Sequence, residues 1–507
     1  MTTKLNVERQ RLEAQHEGRE DWRMWGPYLA ERAWGTVRED YSAGGTAWEY
    51  FDHDQSRSRA YRWNEDGIGG ICDEHQRLCF ALALWNGKDP ILKERMFGLT
   101  GNQGNHGEDV KEFYFYMDAT PSHSWMRYLY KYPQAEYPYG SLVRENAMRS
   151  RQDPPFNLLD TGVFEDNRYF DVEVRYAKAG PDEIHIRIIA TNHGPEAAPL
   201  HLLPQLWFRN DWSWGDPVDK PALRNIAAPM GAQWAVQADH PTLGTYYLYG
   251  RHAAQVLYTE NESNAERLWN APSASPYVKD AFHRRIVNDE HGAVNPELTG
   301  TKFGAWHVAT IEPRYSTTIG MTLSRQPLKD PFGKREVIFA KREAEATVFY
   351  DELLPDGDTQ DMNILRQSLA GMIWSKQFFH FDVELAGRRP ACSTGRSQIR
   401  PQSPLAPHEG GACRLDAGQM GIPVVRGMGP GIPLWRAGAG GCGFRQGADR
   451  TPAHRALPAS EWTDPGIRMV LRRRQSSGAG DGGAEGIPRR AGTARRRRHW
   501  FPAARDA

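Results

Sequence analysis

The composition of the chain changes abruptly after Glu384, and this change limits which residues can build a folded core. The last Tyr is Tyr350 and the last Lys is Lys376. Residues 385–507 contain 21 Arg, no Lys and 8 acidic residues, which gives a formal charge of +13. Because the whole chain has a formal net charge of zero, residues 1–384 carry −13. We therefore expect the folded protein to lie in residues 1–384 and the tail to be disordered.

Two interpretations explain the tail: a genuine basic tail, or translation in the wrong reading frame. Met is encoded only by ATG and Gly codons begin with GG, so a Met-Gly or Met-Val pair contains the Trp codon TGG one base along. Three such pairs occur in the tail: Met420-Gly421, Met428-Gly429 and Met469-Val470. With permitted codons, the stretch from Met420 to Leu434 reads WEYPWFAAWDLAFH in the shifted frame. We predict a frameshift just after Glu384, which also accounts for the Arg runs as out-of-frame GC-rich DNA.

Composition and segment lengths exclude several functional classes for residues 1–384. No run of 18 apolar residues is present, so no transmembrane helix is predicted, and residues 2–23 lack the apolar core of a signal peptide. The acidic balance argues against nucleic acid as a partner. Cys72 and Cys79 lack metal-type spacing and are predicted to be buried free thiols of a reducing cytoplasm. No metal or other cofactor is predicted.

Residues from about Ala30 to Leu323 are predicted to form strands joined by long loops. Apolar and polar residues alternate across Phe170–Tyr176, and after turn residues at 179–182 they alternate again across Ile184–Ile188, which predicts a hairpin. Further strands are expected in five segments: Leu200–Phe208, Thr245–Tyr249, Gln255–Tyr258, Trp306–Ile311 and Tyr315–Leu323. Many antiparallel strands of this kind predict a large β-sandwich.

Helical patterns flank the predicted sandwich. The first residues predict a charged lead-in helix within 1–29. After Pro331 the pattern changes to helical at Lys334–Leu354, and Asp358 is expected to cap a second helix. The second helix has an apolar stripe made of Met362, Leu365, Leu369, Met372 and Ile373. The predicted organisation is a lead-in helix (1–29), a sandwich (30–330), the start of an all-helical domain (331–384) and the tail (385–507).

Several segments mix aromatic rings with carboxylates, a combination that suits sugars because rings stack on C–H faces and charged groups accept hydrogen bonds from hydroxyl groups. They are Glu31–Tyr41 with Trp48–Phe51, then Tyr61–Gly67, and Trp207–Gly215 with three Trp. Core aromatics beside surface charges explain the first segments equally simply. For Trp207–Gly215, a strand-end aromatic cluster that closes the sandwich is the alternative to sugar stacking.

The richest segment is Gly101–Glu112, which continues into an aromatic run and then His123–Trp125. Its glycines are not a phosphate loop, because no Gly-Lys-Ser/Thr follows. His106 with Glu108 and Asp109 is a weak metal signal without a second His. A structured loop packed against a neighbouring domain is the favoured interpretation.

These segments closely resemble the bacterial members of glycoside hydrolase family 63, relatives of the processing α-glucosidases. The resemblance runs from about Glu31 to Glu384 and is specific at Trp34–Tyr41, Ser56–Trp63, Gly104–Glu112 and Trp374–His380. It implies an N-terminal β-sandwich, followed here by the first helices of an incomplete (α/α)6 barrel. It also implies inverting hydrolysis of an α-glycosidic bond in an oligosaccharide or small glycoside.

Inversion requires one carboxyl group that protonates the leaving oxygen and another that activates water. The resemblance places the acid in the hidden WD pair, whose codons are split between Gly429 and Pro430, and the base further along the barrel. No catalytic residue is therefore assigned, and we expect a truncated, inactive hydrolase. A non-catalytic carbohydrate-binding module is the alternative. Candidate residues at a substrate rim are Trp34, Asn105, His106, Glu108 and Trp125, with interdomain packing as the other interpretation.

Overall fold

The structure is a computed structural model, and it describes residues 6–29, 52–99, 103, 110–214 and 218–379. It also describes the backbone of two short strands in the tail, at 412–415 and 435–436. The predictions for Trp34–Tyr41, for Gly104–Asp109 and for most of the tail lie outside the described residues.

Two antiparallel sheets form the body of the protein. The six-stranded sheet contains, in chain order, β1 (Trp25–Gly26), β2 (Ile68–Asp73), β3 (Leu78–Trp85), β8 (Ala198–Phe208), β12 (Gln255–Thr259) and β14 (Lys302–Ile311), arranged as β1-β2-β3-β8-β14-β12. The nine-stranded sheet contains β4 (Tyr114–Ala119), β5 (Trp125–Pro133), β6 (Tyr169–Gly180), β7 (Glu183–Asn192), β9 (Ala222–Ile226), β10 (Trp234–His240), β11 (Gly244–Gly250), β13 (Thr299–Gly300) and β15 (Ser316–Ser324). Its order is β13-β9-β10-β11-β15-β7-β6-β5-β4.

The main core lies between the two sheets, as a β-sandwich requires. Phe80 and Leu206 of the six-stranded sheet and Val174 and Ile186 of the nine-stranded sheet are almost completely buried in one cluster. The predicted hairpin is confirmed, because β6 and β7 pair antiparallel with Val174 opposite Ile188. The sequence therefore predicted the sandwich correctly.

Six α-helices occur in the described residues: α1 (Val7–His16), α2 (Tyr139–Ala147), α3 (Ala265–Trp269), α4 (Ala281–Ile286), α5 (Arg335–Leu353) and α6 (Thr359–Trp374). The N-terminal helix is shorter than the predicted lead-in segment. It ends at His16, and Trp25–Gly26 then pairs with β2. The end of the segment 1–29 is thus part of the six-stranded sheet, because Trp25 is fully buried in the main core.

The two predicted C-terminal helices are confirmed as α5 and α6. Phe339 of α5 packs with Trp125 and Ala177 on the outer face of the nine-stranded sheet. The Asp358 side chain accepts hydrogen bonds from the first-turn amides of Gln360 and Asp361, as an N-cap does. Trp374 at the end of α6 joins the main core.

The described residues contain no (α/α)6 barrel, only these two helices after Pro331. Strand β16 (Lys376–Phe379) follows α6 and pairs with β17 (Ala412–Leu415), which pairs with β18 (Trp435–Arg436). At β17 and β18 the tail forms strands, which differs from the predicted disorder, because backbone pairing does not require the apolar periodicity that the tail lacks. No helix in the described part of the chain is long and apolar enough to cross a membrane.

Candidate functional site

The outer face of the six-stranded sheet carries polar side chains that are buried under other chain segments. In an ordinary sandwich, polar side chains on an outer face are exposed to solvent. The register of β3, β8 and β14 aligns Ala81 with Gln205 and Gly304 in one row. The adjacent row on the same face contains Trp207 and Lys302. Because Ala81 and Gly304 are small, other chain segments approach the sheet closely here.

Residues 52–67 form one of these segments and contain the Ser56–Trp63 motif. The Arg95 guanidinium donates a hydrogen bond to the Ser56 carbonyl at 2.6 Å. The Ser58 hydroxyl donates to Asp280 at 2.5 Å. A Cβ at Gly67 would lie 2.5 Å from the Cβ of Ala81, so the backbone contacts the sheet at a position where only glycine fits. The motif is therefore fixed over the sheet at both ends.

Two carboxylates at the end of this segment are buried beside cations. Glu65 accepts a hydrogen bond from the Asn261 amide at 2.7 Å, and the Lys279 ammonium lies 3.8 Å from its other oxygen. Asp66 lies 3.5 Å from Arg95. Burial of a charge is unfavourable unless it is paired, so these contacts are needed to hold the carboxylates in place.

Glu94 is a third buried carboxylate on this face, and two side chains donate hydrogen bonds to it. It accepts hydrogen bonds from Lys302 at 2.7 Å and from Gln205 at 2.9 Å. Burial alone would raise its pKa, but Lys302 and Arg95 lower the pKa of Glu94 to about 2. Glu94 is therefore ionised at neutral pH.

We call this group of residues the outer-face cluster: Glu65, Asp66, Glu94, Arg95, Gln205, Asn261, Lys279 and Lys302. Its three carboxylates and three cations balance, so its formal charge is zero. Among the residues that the structure describes, four of its buried atoms have no hydrogen-bond partner: Asp66 Oδ2, Glu94 Oε2, Arg95 Nε and Asn261 Oδ1. Buried polar atoms normally have partners, so unpaired acceptors and an unpaired donor in one place indicate a site where an uncharged polar partner is favourable.

Glu94 does not fit the role of a general acid. A general acid at neutral pH needs a carboxyl group whose pKa is raised, whereas Glu94 has a lowered pKa. Carboxyl groups with raised pKa values lie elsewhere: burial raises the pKa of Glu74 to about 7 and that of Asp89 to about 6, and it also raises the pKa of Glu183. Glu74 lies in the β2–β3 turn, and Asp89 accepts hydrogen bonds from two tyrosines. Within the described ranges, no group of His, Cys, Asp and Glu is arranged to hold a metal ion.

Of the five predicted rim residues, the structure describes only Trp125. Trp34, Asn105, His106 and Glu108 lie outside the described residues, and the predictions for them stay predictions. Trp125 is 1% exposed, donates a hydrogen bond to Asp118 at 2.9 Å and packs edge-on against Phe339 of α5. It lies on the nine-stranded sheet, so it is not part of the outer-face cluster.

The aromatic segment Trp207–Gly215 is described as far as Trp214. Trp207 is buried in a small cluster with Cys79 and Phe378. Trp212 donates a hydrogen bond to Glu262 at 2.8 Å, and the Arg62 guanidinium lies 5.9 Å from the ring centre of Trp214. These contacts agree with the interpretation as a strand-end aromatic cluster.

Sequence reasoning missed most residues of the outer-face cluster. It singled out Tyr61–Gly67 but not Glu94, Asn261, Lys279 or Lys302. One signal was available, because Lys302 begins a strand whose remaining residues are mostly apolar and is nevertheless buried. The contacts that join it to Glu94 span 208 residues, and a single sequence carries no sign of that pairing.

A second buried polar cluster lies next to the first, and we call it the tyrosine cluster: Asp89, Lys93, Glu112, Tyr130, Tyr132, Tyr137 and Tyr139. Lys93 and Glu112 are both completely buried and 2.7 Å apart. Tyr130 donates to the second Glu112 oxygen at 2.8 Å, and the Lys93 ammonium lies 3.9 Å from the ring centre of Tyr137. Within the described ranges, no buried polar atom of its side chains lacks a hydrogen-bond partner.

Comparison with known proteins gives one close relative and no family. The chain is 37% identical over 444 residues to the uncharacterized protein YMR196W of Saccharomyces cerevisiae. The match covers 78% of this chain and 40% of the yeast protein, so the chain spans less than half the length of this relative. No protein-family model matches the chain.

Among the solved structures that are similar to the chain is one whose similarity is distant. It is a protein of Escherichia coli K12 provisionally named an aldose 1-epimerase, with 11% sequence identity and a TM-score of 0.21. The similarity covers 53% of this chain and 81% of that chain. A likeness this weak carries no argument about the function of the present protein.

Proposed function

We propose that the described part of this chain is the sugar-recognising β-sandwich of a carbohydrate-processing enzyme similar to glycoside hydrolase family 63. One observation carries the proposal. The Ser56–Trp63 motif, which resembles that family, is fixed over a buried cluster of zero formal charge with unpaired hydrogen-bonding atoms. A neutral polyhydroxylated ligand has hydroxyl groups that both donate and accept, so it complements such a site.

The order of elements supports the same proposal. A sandwich that continues directly into two helices is the arrangement implied by the resemblance. The yeast relative is much longer than this chain, as a protein with a further domain would be. Fold alone does not establish function, so these observations support the proposal without carrying it.

We propose further that this polypeptide does not hydrolyse glycosides. Its catalytic carboxylates would belong to the barrel, whose coding sequence we propose to be out of frame after Glu384. Without the carboxyl pair, general acid–base assistance of roughly 10²–10⁴-fold is lost.

Calorimetric titration of the full chain with maltose and related α-glucosides tests sugar recognition. We expect saturable binding that weakens by about 10-fold, or about 1.4 kcal/mol, in Glu94→Gln and Asp66→Asn. Arg224→Ala, on the nine-stranded sheet and 59% exposed at its side chain, is the matched control and should bind normally. Absence of binding at millimolar sugar would reject this part of the proposal.

A non-catalytic carbohydrate-binding module is the second candidate. The pairing of Glu94 with Lys302 and Gln205 favours it, because a carboxylate held ionised in this way can accept hydrogen bonds but cannot protonate a leaving oxygen. The two candidates predict different activities for the product of the frame-corrected gene. Sequencing the DNA after the Glu384 codon and expressing the frame-corrected product should restore α-glucoside hydrolysis if the first proposal holds. Sugar binding without hydrolysis by the corrected product would favour the module.

A further inference from the structure

Cys72 and Cys79 face each other across the hairpin of β2 and β3. They are directly paired in the antiparallel register, one residue from each side of the turn. Opposite residues in antiparallel strands have Cα atoms roughly 4.5 or 5.5 Å apart, depending on the type of pair. Both values fall within the range of about 4.4–6.8 Å that a disulfide spans, so the backbone needs no rearrangement to join them.

The side chains of the two cysteines are in contact. Both pack in one small apolar cluster and both are completely buried, and the Cys79 thiol donates a long hydrogen bond to the Gln76 carbonyl at 4.0 Å. Burial raises the pKa of Cys72 and raises the pKa of Cys79 well above its usual value. Few thiolates are therefore present at neutral pH, and reaction depends on opening of the surrounding structure.

A small apolar cover closes this thiol pair. Tyr28, Leu29, Trp207 and Phe378 pack with the two cysteines in one cluster. The backbone amide of Phe378 donates to the Tyr28 carbonyl at 3.0 Å, so β16 and the segment before residue 30 are joined directly over the pair. Because Phe378 belongs to neither β2 nor β3, we expect its displacement to uncover the thiols while the pairing of these two strands stays intact.

We propose that Cys72 and Cys79 form a redox-active thiol pair that closes into a cross-strand disulfide with a small-molecule disulfide such as oxidised glutathione. One thiol, as the thiolate, attacks the oxidant and releases one small thiol. The second then attacks the mixed disulfide and releases the other small thiol. Two protein thiols are oxidised and one disulfide oxidant is reduced to two thiols, with the protons passing to the released thiols.

The test uses the full chain with Cys392, Cys413 and Cys442 replaced by Ser, so that only the hairpin thiols remain. After incubation with oxidised glutathione, the chain is alkylated in denaturant and digested with trypsin. Cleavage after Arg62, Arg77 and Lys88 places Cys72 and Cys79 on separate peptides, 63–77 and 78–88. We expect these peptides to be joined by a disulfide that reductant separates.

Three outcomes would overturn the proposal. Both cysteines could be alkylated after prolonged oxidation, each cysteine could carry its own glutathione, or disulfides could join separate chains. Cys72→Ser and Cys79→Ser are the matched single-thiol controls and should give no joined peptide. Phe378→Ala should accelerate disulfide formation several-fold, whereas Phe339→Ala, in the helix α5 that packs on the other sheet, should not. An unchanged rate in Phe378→Ala would overturn the role of the cover.

Discussion

The tyrosine cluster and the outer-face cluster meet at the adjacent residues Lys93 and Glu94, but they differ in how their buried polar groups are hydrogen-bonded. Lys93 is directed into the tyrosine cluster and pairs with Glu112, whereas the next residue, Glu94, pairs with Lys302 on the outer face. In the described part of the chain, no buried polar atom of the tyrosine cluster lacks a partner, whereas four atoms of the outer-face cluster do. A completed network stabilises the fold by itself, whereas an incomplete one is suited to a partner that completes it.

The largest effect should follow from breaking the completed network. Glu112→Ala removes the acceptor of Lys93, Tyr130 and the Phe97 amide, and leaves a buried ammonium unpaired. We expect a loss of about 3–5 kcal/mol in the free energy of unfolding, measured by urea denaturation. Glu112→Gln keeps an acceptor in place and should lose less. A loss below about 1 kcal/mol in Glu112→Ala would contradict the assignment as a structural cluster.

The corresponding change on the outer face should cost less. Glu94→Ala removes the acceptor of Lys302 and Gln205, but Oε2 of Glu94 has no partner to lose. We expect a loss of about 1–3 kcal/mol in the free energy of unfolding. Because the proposed ligand binds here, maltose should stabilise the unchanged chain and not this variant. If Glu94→Ala were the more damaging of the two variants, the comparison between the clusters would be wrong.

The two clusters should also respond to pH with opposite sign. The pKa of Glu94 is lowered from 4.5 to about 2, so the unfolded state binds more protons in that window and stability rises with pH from about 2 to 4.5. Burial raises the pKa of Asp89 from 3.8 to about 6, so the folded state binds more protons and stability falls as pH rises from 3.8 to about 6.

Melting temperatures measured across this pH range test both contributions. Glu94→Gln should reduce the rise at low pH without changing the later fall, and Asp89→Asn should reduce the fall without changing the rise. Part of the fall should remain in Asp89→Asn, because burial also raises the pKa of Glu74 to about 7. Each variant is the control for the other. If both variants flattened the same part of the profile, the two carboxyl groups would not titrate independently as proposed.

The sequence predicted those parts of the fold whose local pattern of apolar and polar residues reflects which side chains are buried. β6 and β7 alternate because one face meets the core and the other pairs charges such as Arg127 with Glu173. β3 was missed because it is apolar on both faces and buried throughout, so period two is absent. The helix α6 was found from its cap at Asp358 and its apolar stripe.

The candidate site could be predicted only in part, for a physical reason. The Tyr61–Gly67 segment stands out locally because aromatic and charged residues alternate in it. Its partners Asn261 and Lys279 lie about two hundred residues away and look like ordinary surface residues until the fold buries them. These side chains become part of the candidate site only because the fold buries them beside Glu65. Their burial depends on tertiary contacts, which the local sequence pattern does not reveal.

The smallest expected effect on stability is the difference between a buried tyrosine whose hydroxyl is hydrogen-bonded and one whose hydroxyl is not. Tyr130 donates to Glu112, whereas the Tyr258 hydroxyl is buried without a partner. Tyr130→Phe should cost about 1–2 kcal/mol in the free energy of unfolding because a buried carboxylate oxygen loses its donor. Tyr258→Phe removes an unpaired polar atom and should be neutral or stabilising by up to about 1 kcal/mol. Urea denaturation of the two variants side by side measures this difference, and a clear loss in Tyr258→Phe would show that its hydroxyl has a partner, such as an internal water. The same conclusion would then extend to the unpaired atoms of the outer-face cluster, since water held there would have to be displaced before a sugar could bind.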